Sequence, residues 1–207
     1  VPTADPPIRI LIADDQALVR GALAALLGTE KDMVVVAQTG TGADVVELAR
    51  THLVDVALLD IEMPDVDGIA ACAALTAAGL TTATIIVTTF GRPGYLRRAL
   101  ASGATGFVVK DTPPDQLAEA IRRVARGLRV IDPTVAEESL FTPDSPLSPR
   151  EEIICRLVLA GASTADIAHS LHLTQGTVRN HFSAIIAKTN SANRFEAAST
   201  ARDNGWL

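Results

Sequence analysis

No apolar run in this 207-residue chain approaches the roughly 18 residues that a membrane-spanning helix needs, so membrane insertion is not expected. The opening Val1-Pro-Thr-Ala-Asp-Pro-Pro7 lacks the basic and apolar regions of a signal peptide, which sets the expectation of a cytoplasmic protein. Cysteine is scarce. Cys72 and Cys155 lie far apart and match no metal or redox spacing, so both are expected to be reduced, buried thiols. There is no internal repeat, no low-complexity tract and no excess of positive charge, the net charge being −6. What is present is a hydrophobic content of 48% with a mean hydropathy of +0.27, enough for a real core in one large domain or two small ones. The charge is uneven. Residues 1–146 carry −7 and residues 147–207 carry +1, which suggests two domains with different partners. A charge of +1 leaves any nucleic-acid contact to locally placed side chains or to a dimer.

Through residue 128, short apolar runs alternate with longer stretches of helical period. Arg9–Ala13, Met33–Ala37, Val56–Asp60, Thr84–Val87 and Gly106–Val109 read as strands. The stretches between and after them, at about 16–27, 43–52, 69–78, 93–101 and 115–126, read as helices. In the first of these, Leu18, Val19, Ala22, Leu23, Leu26 and Leu27 make one apolar stripe. Five strand–helix units in strict alternation argue for an α/β domain over 8–128 with a doubly wound parallel sheet. From 129 to 146 the pattern fails, and Pro133, Pro143 and Pro146 mark a linker. Residues 147–207 show only helices. The first opens on Ser148-Pro149-Arg150-Glu151, a capping box with proline at the first helical position. A short helix at 163–171 follows, then one from Gln175 to about Lys188 behind the cap Thr174, then a fourth at 193–204.

If the sheet is parallel, its carboxyl edge gathers a distinctive set of side chains. Asp14 and Asp15 follow the first strand, Asp60 ends the third, Thr88 the fourth and Lys110 the fifth. Open α/β sheets bind ligands at that edge. Phosphoryl transfer to a carboxylate needs an in-line nucleophile, a cation and a donor for the transferred oxygens. Asp60 suits the nucleophile, while Asp14 and Asp15 offer the hard oxygens that Mg²⁺ prefers. Lys110 and Thr88 suit the phosphoryl oxygens. Any one of these residues alone could be a helix cap, a strand end or a solvated charge; it is their convergence that points to function.

The pieces I-A-D-D at 12–15, L-L-D-I-E-M-P-D-V-D-G at 58–68, V-T-T at 87–89 and G-F-V-V-K at 106–110 resemble the receiver domain of two-component response regulators. The resemblance implies that Asp60 is phosphorylated by a sensor histidine kinase and that Asp14, Asp15 and Asp60 hold Mg²⁺, with the Glu62 carbonyl completing the metal site. It implies that Thr88 and Lys110 read the phosphate and that Phe107 is the aromatic that reorients on activation. Glu62 and Phe90 are expected to flank the approach of hydrolytic water. A phosphatase of the haloacid-dehalogenase type also uses an Asp nucleophile with Mg²⁺ and Lys. It needs a second Asp two residues on, where this chain has Glu62, and it lacks a helical tail of this kind.

That tail resembles the four-helix, LuxR-type helix-turn-helix domain of the NarL/FixJ regulators. The matching residues are L-S-P-R-E at 147–151, G-A-S-T-A-D-I-A at 161–168, L-T-Q-G-T-V-R-N-H at 173–181 and K-T-N-S-A-N-R at 188–194. The resemblance implies contacts with double-stranded promoter DNA by Thr174, Gln175, Thr177, Arg179, Asn180, Ser183 and Lys188. It also implies a homodimer on phosphorylation, contact with RNA polymerase, and a transcription regulator rather than an enzyme. Asn190, where glycine is common in this family, tolerates the left-handed conformation such a turn needs. His169 and His172 lack a third ligand and read as a surface pair. Within the family, T-T-F-x-R-P-G-Y at 88–95, G-T-V-R-N at 176–180 and the ending G-W at 205–206 resemble the DesR type, whose regulators control fatty-acid desaturase genes.

Overall fold

The computed structural model describes residues 6–89, 93–140 and 145–207, so Phe90 lies outside the described residues. The chain separates into two compact units, one built on a sheet and ending at Ala136, the other built on the C-terminal helices. No helix among the described residues is long and apolar enough to cross a membrane.

The sheet is parallel throughout, with strand order β2-β1-β3-β4-β5-β6. Its strands are β1 (Ile8–Ala13), β2 (Met33–Thr39), β3 (Val56–Asp60), β4 (Ala83–Thr88), β5 (Gly106–Val109) and the two-residue β6 (Val130–Ile131). All five residues of β3 are buried, as expected of a central parallel strand covered on both faces. The helices that alternate with these strands along the chain are α1 (Ala17–Leu27), α2 (Val45–Thr51), α3 (Gly68–Ala77), α4 (Pro93–Ala101) and α5 (Pro114–Ala125). Leu117, Ile121 and Val124 of α5, spaced for one helix face, pack into a core with Ile10, Ile12, Leu58, Ile85, Val87 and Val108. At the amino end of the sheet, Arg122 forks onto Asp32 through Nε and Nη2 at 2.7 and 2.8 Å and onto Glu30 at 2.6 Å, tying α5 to the start of β2.

Two sequence expectations need correction. The apolar stripe of α1 is really two adjacent rows. Val19, Leu23 and Leu27 face inward, whereas Leu18 is 86% exposed and Leu26 42%. The two rows are about 100° apart around the helix, and only one of them meets the sheet. The segment 129–146 is not wholly irregular. Val130 N–H donates to the Thr105 carbonyl and Asp132 N–H to that of Phe107, adding β6 to the edge of β5. Pro133 then begins a helix, α6 (Pro133–Leu140), instead of preventing one, because proline is tolerated in a first turn. Asp132 Oδ1 accepts the Thr134 N–H at 2.9 Å and so satisfies that turn.

The second unit carries α7 (Pro149–Leu159), α8 (Thr164–Ser170), α9 (Gln175–Thr189) and α10 (Arg194–Asp203). Ser148 and Ser163 form capping boxes with Glu151 and Asp166, and the Thr174 side chain caps α9. α9 ends at Asn190 in the left-handed region, φ 50°, where asparagine substitutes for glycine at little cost. Ile154, Val158, Ile167, Val178, Phe182, Ile185 and Ala197 make its core, which also buries the Cys155 thiol. Cys72 is likewise free and buried in the first unit.

Candidate functional site

Three carboxylates meet at the carboxyl edge of the sheet. One oxygen each from Asp14, Asp15 and Asp60 lies within 4.8 Å of the others, with Asp14 and Asp60 buried and Asp15 exposed. Lys110 reaches this cluster from the end of β5, its Nζ lying 2.8 Å from Asp14 Oδ2 and 3.1 Å from Asp60 Oδ2. Thr88 is 2% exposed at the end of β4, and its carbonyl accepts the Lys110 N–H at 2.7 Å. The parallel register delivers these side chains together, because Asp60 pairs with Val87 and Thr88 with Val109. Phe107 is fully buried, paired with Ile86 on one side and Ile131 on the other. Asp14 also serves its own helix, since its Oδ1 accepts the Gln16 N–H at 2.8 Å.

The electrostatics are those of a site one cation short of neutrality. Burial pushes the Asp60 carboxyl above its ordinary range and the Asp14 charge adds to this, while Lys110 and the Glu62 amide pull the other way. Burial works against the Lys110 charge, but the hydrogen bonds to Asp14 and Asp60 outweigh it and raise the ammonium. Three carboxylates against one ammonium leave two negative charges, and the donors are all hard oxygens. A small divalent cation with retained water ligands fits that set.

Two residues essential to this geometry were not singled out from sequence. Arg20 Nη1 donates to the main-chain carbonyl of Asp14, holding the turn after β1. Gly68 opens α3 directly against the end of β3, where an added Cβ would lie 2.8 Å from the Asp60 carbonyl carbon and closer still to its oxygen. The Asp67-Gly68 pair was legible as a break in regular structure, but not as a close approach to the acidic residue itself.

The second candidate surface is α9. Gln175, Arg179, Asn180 and Ser183 are exposed along α9, whose Val178, Phe182 and Ile185 are buried. The other three expected residues are differently engaged. Thr174 accepts the Thr177 N–H at 3.1 Å, and the Thr174 and Thr177 hydroxyls are 2.9 Å apart, with Thr177 half-buried. The Ser183 hydroxyl donates back to the Arg179 carbonyl at 3.2 Å. Lys188 is not free: its Nζ lies 2.6 Å from Glu151 Oε2. His169 and His172 are exposed, and among the described residues they join no cluster of metal-ligating side chains.

An α/β unit with an acidic cluster at its carboxyl edge, followed by a helical unit presenting a polar helix face, defines a signal-receiving module joined to a nucleic-acid reader. The family comparisons agree with that class. Residues 10–122 match the response regulator receiver domain and residues 145–201 the bacterial regulatory proteins of the luxR family. Two relatives from Bacillus subtilis (strain 168) align over 97% of this chain. They are the uncharacterized transcriptional regulatory protein YvfU, 43% identical and fully covered, and the transcriptional regulatory protein DesR, 42% identical and 99% covered. Among solved structures, the response regulator ChrA of a heme-sensing two-component system is 31% identical, with a TM-score of 0.59, over 97% of this chain and 99% of that one. The chain belongs to the family of two-component response regulators that join a receiver domain to a LuxR-type DNA-binding domain. It is accordingly a transcription regulator, whose family implies a histidine kinase upstream and DNA as the target.

Proposed function

We propose that Asp60 is the phosphoacceptor and that its phosphorylation, from a sensor histidine kinase, promotes dimerisation and operator binding through α9. The observation that supports this most is the shared ammonium. Lys110, itself half-buried, sits between the buried Asp14 and Asp60, where phosphoryl oxygens bonded to Asp60 would take over one of its two partners. In the reaction an Asp60 carboxylate oxygen attacks the phosphorus of phosphohistidine in line. The P–O bond forms as the P–N bond breaks, and the imidazole leaves. Asp14, Asp15 and Asp60, with the Glu62 carbonyl, would hold Mg²⁺, which when bound offsets the charge gathering on the phosphoryl oxygens. Lys110 neutralises a further oxygen and Thr88 donates a hydrogen bond to it. Residues 8–128 act as the receiver, 147–207 as the DNA reader, and 129–146 as the connection, part of which is folded as β6 and α6.

A phosphate near −2 on Asp60 changes the balance that Lys110 and Thr88 serve, and Phe107 lies on β5, the strand that leads to Lys110, paired with Ile86 of β4. Its carbonyl accepts the Asp132 N–H, so a change at Phe107 bears directly on β6 and the chain leading onward. A near-complete switch requires about 5.5 kcal/mol of preference for one state. Two charge-assisted bonds supply part of this, and dimerisation on paired half-sites supplies the remainder by making the second DNA contact intramolecular. Gln175, Arg179, Asn180 and Ser183 then face the groove, in a cytoplasmic complex with promoter DNA and RNA polymerase. Likeness to DesR is matched by likeness to YvfU at nearly the same identity, so control of desaturase genes is one regulon to test among others.

The test is labelling by acetyl phosphate with Mg²⁺, followed by sedimentation of the beryllofluoride-treated protein. Wild type should take up one phosphoryl group and sediment as a dimer. Undiminished labelling of Asp60→Asn, or a treated protein that stays monomeric, would overturn the reading.

A further inference from the structure

Lys188 is an exposed residue of the recognition helix, but it does not share the face that carries Arg179. Nine residues separate it from Arg179, which places it about 180° around α9 and roughly 13 Å further along. Its ammonium turns toward Glu151, a residue of α7 only 4% exposed. The same oxygen, Glu151 Oε2, also accepts the Ser148 N–H at 2.7 Å, so one carboxylate oxygen joins the first turn of α7 to the last turn of α9. Burial pushes the Glu151 carboxyl up, yet Lys188 and Ser148 outweigh it and hold it below the usual carboxylate range. A second clamp grips α9 nearer its middle. The Arg194 guanidinium lies over the Phe182 ring, 5.1 Å from its centroid, while Nη1 donates to the Thr164 hydroxyl of α8 at 2.9 Å.

We infer that Lys188 is a positioning residue for DNA recognition, not a DNA contact: with Glu151 it fixes the end of α9, and thereby the angle at which Gln175, Arg179, Asn180 and Ser183 meet a groove. The inference rests on the DNA-binding reading above and concerns how that reading is achieved. Two physical arguments carry it. A lysine already paired with a buried carboxylate has little charge to offer a phosphate. Drawing it away would strand Glu151 in the interior without its counter-ion, which is costly. An arm that sets an angle matters more for a specific site than for non-specific binding, because base-edge contacts depend on register whereas phosphate contacts tolerate displacement.

The salt dependence of binding separates the two roles. The probe is a duplex selected from a random pool by the beryllofluoride-treated full-length chain, with poly(dI-dC) as the non-specific competitor. Glu151→Gln keeps an acceptor for the Ser148 N–H and removes only the charge pair; Lys188→Met removes the other partner. Each should weaken binding to the selected duplex roughly tenfold, a change of about 1.4 kcal/mol. Binding to poly(dI-dC) and the slope of log K against log salt should both be unchanged. Lys188→Arg, which restores the pair, should restore affinity, and the double variant should bind no worse than either single one. A phosphate contact predicts otherwise: Lys188→Met would flatten the slope by about 0.9, and Glu151→Gln would bind as well as wild type or better. Either of those results overturns the inference. Should Lys188→Met be unfolded at the assay temperature, as judged by circular dichroism, Glu151→Gln decides alone. A wild-type chain that selects no duplex would instead refute the DNA-binding reading itself, a distinct outcome.

Discussion

Gly68→Ala probes the placement of Asp60 without touching any group proposed to take part in the reaction. The added Cβ would sit 2.8 Å from the Asp60 carbonyl carbon, where ordinary contact begins at 3.4 Å. The Asp60 carbonyl oxygen would be closer still, so the end of β3 or the start of α3 must move by about 1 Å, and neither yields easily in a close-packed interior. β3 is buried along its whole length, and α3 is anchored by Asp67, whose Oδ1 accepts the Ala70 N–H at 2.7 Å. Overpacking of this kind costs about 1–3 kcal/mol, enough to lower the melting temperature by several degrees. The consequence for chemistry is larger. A displacement of about 1 Å in an in-line reaction costs roughly a hundredfold, so even with the shift shared between β3 and α3 phosphorylation should slow by about tenfold or more. The assay is the initial rate of acetyl phosphate labelling with Mg²⁺ present, beside a thermal melt. Gly21→Ala is the control, since a Cβ there meets nothing within 4 Å. Labelling at the wild-type rate in Gly68→Ala would refute the claim that this contact sets the position of Asp60.

The same control carries its own expectation: Gly21→Ala should stabilise α1 by about 0.5–1 kcal/mol, measured by urea unfolding. The Glu151 carboxyl, held below the usual carboxylate range, contributes stability that is present above that range and lost as pH falls through the depressed pKa. Glu151→Gln should accordingly lower melting near neutral pH and flatten the acid limb of the melting profile of the DNA-binding unit; an unaltered acid limb would contradict the pair. Mg²⁺ should stabilise the receiver by about 1.4 kcal/mol at ten times its dissociation constant, seen as a higher melting temperature, and EDTA should reverse this. Asp15→Asn should weaken that response, and an equal response in the variant would remove Asp15 from the metal set.

Much of the receiver was legible because its signals are local. Buried strands ending in Asp14, Asp60, Thr88 and Lys110 announce both the elements and the edge where they meet, and parallel pairing does the rest. What escaped depends on relations that a single stretch does not carry. Which row of α1 faces the sheet is decided by how the helix sits on its strands, so Leu18 and Val19 looked alike in sequence. β6 is two residues long and forms only because the edge of β5 is there to receive it, while the prolines around it obscured both β6 and α6. The Lys188–Glu151 pair joins residues 37 apart, and Glu151 already had an evident role as a capping residue.

Operator affinity before and after acetyl phosphate treatment, in wild type and in Asp60→Asn, tests the central claim most directly. Phosphorylation on Asp60 predicts that treatment with Mg²⁺ tightens wild-type binding to paired half-sites and leaves Asp60→Asn where it was. Equal affinity of wild type before and after treatment, or a full response in Asp60→Asn, would contradict it.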